Sequence, residues 1–251
     1  MTSSLTASGQ EQPCRLYPMG EAALVVQFGD VISPEIFSRV QALSCLLEQH
    51  PFPGFVEQVP AFTTVTVYYN PKEHKLSVGG STPFQQVARL VKGLLEHLPA
   101  PFELTAPEIK RIPVCYGGDF GPDLQFVAQT NGLTPEEVVA LHTQAEYLVY
   151  MIGFAPGFPY LGGMNERIAA PRKASPRASI PAGSVGIAGN QTGIYPLETP
   201  GGWQLIGRTP VPLFNPNAAS PSLLKAGDVI KFYPITASEF KNWKETGIDE
   251  S

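Results

Sequence analysis

The chain has 251 residues, 43% of them hydrophobic and 16% charged, with a net charge of −5. That length buries one large core or two modest ones, and the acidic balance excludes the basic footprint of a nucleic-acid-binding protein. The 26 prolines and 24 glycines exceed ordinary usage, proline by roughly twofold, which disfavours long helices and favours strands, turns and loops.

Residues 1–13 carry neither a charged start nor an apolar core and are expected to be a frayed polar tail, not a signal peptide. Residues 14–98 read as an α+β domain. A strand is expected over 22–28. Ser33 then Pro34 set an N-cap and a first helical position, and Ile36, Val40, Leu43 and Leu47 recur at helical spacing, marking one buried face. Residues 62–69 are rich in β-branched and aromatic side chains and form a strand. Thr82 and Gln85 make a capping box that opens a second helix reaching about Leu98. Two helices on one face of an antiparallel sheet follow from this order. His50, His74 and His97 fall at helix ends or in a turn and are expected to be solvated or capping residues.

Prolines at 99, 101 and 107 punctuate an expected linker over 99–108. The second domain runs over 109–251. A strand covers 109–115, and a turn over 116–123 feeds a helix that stops at Asn131-Gly132. Thr134 and Glu137 form a capping box for a helix to about Gln144. Short strands and Gly/Pro turns then dominate up to an outer strand ending at Tyr233, followed by a capping box at Thr236 and Glu239. This pattern points to a closed barrel or a sandwich. The long uncharged run from Tyr147 to Asn165 is interrupted by Gly153, Pro156, Gly157, Pro159, Gly162 and Gly163. A broken backbone cannot face lipid, so a membrane span is excluded. Cys14, Cys45 and Cys115 are few, odd in number and far apart. They imply reduced thiols in the cytoplasm, show no metal-ligand spacing, and make Cys115 a buried small hydrophobe before a nucleophile. No protein-bound metal is expected.

There is no Gly-Lys pair for a phosphate-binding loop, and Gly183, Gly186 and Gly189 do not have dinucleotide-fingerprint spacing. No zinc-protease or nucleophile-elbow pattern occurs. The chemistry-bearing feature is instead a charge-poor platform. Between Arg177 and Arg208 the only charged residue is Glu198, and the platform is edged by Arg172, Lys173, Arg177 and Arg208. Guanidinium forks suit carboxylate or phosphate. Glycines at 183, 186, 189 and 193 could let backbone N–H groups approach an anion, and Gln191, Thr192 and Tyr195 offer uncharged donors. The competing expectation pairs the arginines with Glu198 and Asp119. Tyr195 and Trp203 read first as core or interface residues. His142, in the helix before the platform, is a candidate proton carrier near neutral pH.

Five stretches carry a family resemblance: PVCYGGDFGPDL at 113–124, YMIGFAPGFPYLGG at 150–163, PAGSVGIAGNQTGIYP at 181–196, TPGGW at 199–203 and IGRTP at 206–210. On these the chain resembles the family of the 5-oxoprolinase B component, also known as allophanate hydrolase subunit 1 and Kip-type kinase inhibitor, over essentially all of its length after the tail. Asn190 stands where many members have glycine. The resemblance implies an α+β domain followed by a cyclophilin-like β-barrel. It also implies a heteromer with a larger C component of 5-oxoprolinase, working with the A component in the ATP-driven opening of 5-oxoproline, a small cyclic amide, to glutamate. Any Mg²⁺ would arrive with the nucleotide. By position, the polar motif residues become Arg172, Arg177, Gln191, Thr192, Tyr195 and Arg208, joined by Gly186 and Gly189. Arg177, Arg208 and His142 are then expected in catalysis and the others in substrate or phosphate binding. Two alternatives belong to the same labels: an inhibitor that binds a sensor histidine kinase, and a carboxyltransferase-like subunit of urea or allophanate breakdown.

Overall fold

The computed structural model describes residues 14–74, 80–98 and 109–243. The expected tail over 1–13 and the expected linker over 99–108 lie outside them. The chain divides into two compact units, Met1–Glu103 and Leu104–Ser251.

The first unit is a four-stranded antiparallel sheet with two helices. Its strands are β1 (Arg15–Pro18), β2 (Ala23–Gln27), β3 (Phe55–Pro60) and β4 (Thr64–Tyr69), in the order β1-β2-β4-β3. Helix α1 (Pro34–Gln49) starts where Ser33 Oγ accepts the Ile36 N–H. Its buried face is Phe37, Val40, Leu43, Ser44 and Leu47. Phe37 takes the core position expected of Ile36, which is only half-buried. Helix α2 (Pro83–Leu95) opens on the Thr82–Gln85 capping box. Both helices contribute to one core with Leu24, Val26, Val65, Val67 and Tyr69 from the sheet. His50 ends α1, and His97 bonds the Gly93 carbonyl. His74 departs from expectation: it is buried, edge-on to Tyr69 and beside Phe52.

The second unit is built on a closed barrel of seven strands: β5 (Ile109–Tyr116), β6 (Glu146–Ile152), β7 (Pro159–Gly162), β9 (Ser184–Ala188), β10 (Gln191–Ile194), β12 (Gln204–Arg208) and β13 (Val229–Pro234). Closure resolves the choice between barrel and sandwich. Around the wall the order is β10-β7-β6-β13-β5-β12-β9. The strand expected to lie at an edge, β13, is a full member of the wall. It runs parallel to β5 and antiparallel to β6, and its Ile230 and Phe232 are buried. A closed sheet has no edge, so every strand is flanked on both sides. Helices α3 (Leu124–Thr130) and α4 (Pro135–Gln144) share its core through Leu124, Val127 and Val138, and α4 starts on the Thr134–Glu137 capping box. A separate ribbon pairs β8 (Arg177–Ile180) with β11 (Thr199–Gly201). Helix α5 (Ala237–Lys241) starts at the Thr236–Glu239 box. No helix among the described residues is long and apolar enough to cross a membrane.

Candidate functional site

The hairpin of β9 and β10 sets Gly193 opposite Gly186. The reason for two glycines there is an aromatic cluster lying directly on the backbone. A Cβ on Gly193 would stand 2.9 Å from Phe158 Cζ and 3.1 Å from Trp203 Cζ3, and one on Gly186 would stand 3.1 Å from Trp203 Cβ. Phe158 meets Tyr195 and Trp203 edge-to-face, with centroids 5.6 Å apart in each pair, and Tyr160 at 5.2 Å. Such perpendicular arrangements are favoured by the ring quadrupoles. The cluster is the floor of an open cleft of about 420 Å³. Pro176, Pro200, Gly201 and Gly202 line it from the β8–β11 side, and Arg172 and Lys173 supply its charge.

Arg172 is held in place from both sides. The Gln204 side-chain amide donates to the Pro171 carbonyl (2.8 Å), and the Lys173 N–H donates to the Gly202 carbonyl (2.7 Å). One residue further back, Ala170 and Gly189 exchange backbone hydrogen bonds. The Arg172 side chain is exposed and has no carboxylate partner among the described residues. Lys173 differs: its Nζ lies 3.6 Å from Asp123 Oδ1.

Asp123 is the hub behind the cleft. Its Oδ1 accepts from Arg177 (2.8 Å) and its Oδ2 from the Leu205 N–H (2.7 Å), while its own N–H donates to the Leu205 carbonyl (2.8 Å). Burial pushes the carboxyl pKa up, but the bonds from Arg177 and Leu205 and the charges of Arg177 and Lys173 outweigh it and hold the carboxyl below its ordinary value. Burial raises the Tyr195 phenol, against a backbone bond at Trp203 and the nearby charges of Arg172 and Arg177, so the phenol stays protonated.

Phe154 forms the lip. It is 68% exposed and is the one non-glycine residue at positive φ, 68°, among those described. The Ala155 N–H donates to the Gly153 carbonyl across it (2.8 Å), closing a three-residue turn of the strained hand. Its ring meets Phe158 edge-on.

The residues singled out in the sequence are only partly brought together. Arg172 and Tyr195 line the cleft together. Arg177 stands behind it, engaged by Asp123, so the arginine's partner is neither Glu198 nor Asp119. Glu198 accepts instead from the Ser179 hydroxyl. Arg208 donates through Nε to the Ala182 carbonyl (2.7 Å) and faces the Phe240 ring, and it does not line the cleft. The expected glycine cradle is taken up by structure: the Gly183 N–H donates to the Tyr195 carbonyl, the Gly189 N–H to the Ala170 carbonyl, Gly193 sits under the Phe158 and Trp203 rings, and Gly186 packs against Trp203 Cβ. Gln191 begins β10 half-buried at the hairpin end.

His142 needs the largest correction. It is fully buried, stacked on Phe232 at 4.5 Å, with both ring nitrogens engaged. Thr192 Oγ1 donates its only proton to the Gly186 carbonyl (3.1 Å). It must therefore accept from His142 Nε2 (3.0 Å), which leaves Nδ1 to accept from the Tyr116 hydroxyl (2.8 Å). The chain of donors fixes the tautomer. Burial pulls the imidazole pKa down to about 3, so the ring is neutral at physiological pH and ties β5, α4, β10 and β9 together. The sequence offered no sign of Asp123, Tyr116 or Gln204 as partners. Those contacts join residues 26 to 82 positions apart, and only folding brings them together.

The sequence and the fold match a known family. Residues 14–224 match the carboxyltransferase domain, subdomains C and D, and the chain belongs to this family, that of the 5-oxoprolinase B component. It is 53% identical over 229 residues to the B component of Bacillus subtilis 5-oxoprolinase, covering 90% of this chain and 95% of that one. The B component of the Escherichia coli O157:H7 5-oxoprolinase is 42% identical over 89% of this chain and 97% of its own length. The crystal structure of TTHA0988 superposes with a TM-score of 0.71 at 38% identity, over 86% of this chain but 40% of that longer chain.

Proposed function

We propose that the chain is a non-autonomous subunit of an ATP-dependent 5-oxoprolinase, which opens 5-oxoproline with water to glutamate while ATP becomes ADP and phosphate. The observation that carries this reading is the near full-length likeness to proteins named as the B component of 5-oxoprolinase. The make-up of the cleft agrees with it. The lining contains no serine, cysteine, histidine or carboxylate. Among its ionisable side chains Lys173 lies beside Asp123 and burial keeps the Tyr195 phenol protonated, so the lining is suited to binding and orienting a ligand.

ATP supplies the driving force for an otherwise uphill ring opening. The described residues fit a triphosphate poorly: the N–H groups of Gly183 and Gly189 are spent within the fold, and Arg177 and Arg208 are engaged by Asp123 and Ala182. We assign the nucleotide, with its Mg²⁺, to another polypeptide of the complex, and the C and A components of 5-oxoprolinase are the partners. In this reading Arg177 is a positioning residue that acts through Asp123 on the cleft wall. His142 and Thr192 keep the β9–β10 floor in register.

The test is reconstitution. The chain is co-expressed with the C component, purified, and combined with the A component, and ADP and glutamate are followed with and without 5-oxoproline. Release of both products in step, dependent on 5-oxoproline, is expected. An assembled complex that releases neither above background overturns the function.

A further inference from the structure

We infer that the cleft above the Phe158–Trp203 cluster is the binding site for a small flat ring bearing one carboxylate, with Arg172 as its anion contact. Three independent features converge on that chemistry. The floor is aromatic, and perpendicular rings leave flat faces and edges on which a planar amide packs. The cations outnumber the anions. Lys173 and Arg177 share Asp123, whereas Arg172 brings a charge that no carboxylate among the described residues balances. Finally, Arg172 is presented rather than left loose: Gln204 grips Pro171 and Gly202 grips Lys173. A guanidinium whose backbone is fixed loses less freedom on taking a carboxylate in a two-pronged hydrogen bond.

The strained Phe154 turn adds an observation of its own. A ring left 68% exposed at positive φ costs folding energy for a single edge-on contact with Phe158, and such strain concentrates at ligand clamps. Phe154 is placed to cover a ring seated on Phe158. The volume of about 420 Å³ exceeds that of a five-membered lactam acid, leaving the mouth open for a group from another chain. The choice of 5-oxoproline within this ligand class rests on the function proposed above.

The experiment is a binding titration of the full chain, followed by the tryptophan signal and by calorimetry. Three probes are used: 5-oxoproline, 2-pyrrolidinone (the same ring without the carboxylate) and proline (the carboxylate without the lactam carbonyl). Binding of 5-oxoproline by the chain alone is expected, with 2-pyrrolidinone weaker by about tenfold or more. Arg172→Ala should bring 5-oxoproline down to the 2-pyrrolidinone level and leave 2-pyrrolidinone unchanged, and Arg172→Lys should recover part of the loss. Arg172 is exposed, so its variants should fold, and circular dichroism checks that they do. Equal binding of 5-oxoproline and 2-pyrrolidinone, an Arg172→Ala variant that binds like wild type, or no binding by the chain overturns the inference. Turnover by the reconstituted complex would still stand in each of those cases, so the two readings fail separately. Tight binding of proline would overturn the lactam part alone.

Discussion

A buried neutral imidazole makes stability depend on acid. The folded pKa of His142 is about 3 against an ordinary 6.5, so in this interval the unfolded chain binds a proton that the folded chain refuses. The stabilisation is full above the unfolded value and falls as pH drops toward the folded one, by up to about 1.4 kcal/mol per pH unit. Urea unfolding between about pH 6.5 and 4.5 should show this slope, and His142→Gln should flatten it. An unchanged slope in the variant would place the proton elsewhere. Asp123 acts at lower pH, since its carboxyl is held below 3.8. Its charge also balances Arg177, whose side chain is 25% exposed. Asp123→Ala should cost about 2–4 kcal/mol, and Asp123→Asn less, because the amide oxygen can still accept from Leu205. Equal losses would mean that the backbone bond contributes nothing. At this scale the sequence was legible only in part. Arg172 and Tyr195 stood out by type and position, but nothing in the local sequence distinguishes a buried His142 from an exposed one.

Secondary-structure starts were the most legible features because they obey local rules. Thr82, Thr134 and Thr236 each cap a helix with the side chain three residues on. Thr134→Ala should lower stability by about 1 kcal/mol, measured by thermal unfolding, and a neutral result would remove the cap from the account. Strand neighbours were not legible. β13 read as an outer strand because its sequence alone carries no sign of β5, its parallel partner more than a hundred positions earlier. The same limit hid the role of Gly121, where a Cβ would strike the Ile206 carbonyl. Gly121→Ala should destabilise by about 2 kcal/mol or more, since the obstacle is backbone. Gly202→Ala, whose nearest neighbour would be Pro176 Cγ at 3.6 Å, serves as the mild control. A Gly121→Ala protein as stable as the Gly202→Ala protein would contradict this packing.

At the scale of the molecule, each unit contains its own hydrophobic core: Leu24, Val40, Val65 and Val91 belong to one, and Ile112, Val149, Ile187 and Phe232 to the other. The described part of the cleft lies wholly within Leu104–Ser251. A fragment of that unit should therefore fold cooperatively and keep the binding of 5-oxoproline, as read by circular dichroism and the same titration. A molten fragment would show that its core is insufficient. The α+β and barrel segments were legible from turn density and periodicity, but the local pattern left closed barrel and sandwich open, because closure is settled only when the last strand finds the first; the barrel itself came from the family resemblance. The central claim is that this chain makes a binding surface which other chains must complete. The most direct measurement titrates it into fixed amounts of the other components and follows 5-oxoproline-dependent ADP release. The account predicts silence from the chain alone and from the others alone, with activity rising to a plateau at a fixed ratio. Full activity from either side by itself would contradict it.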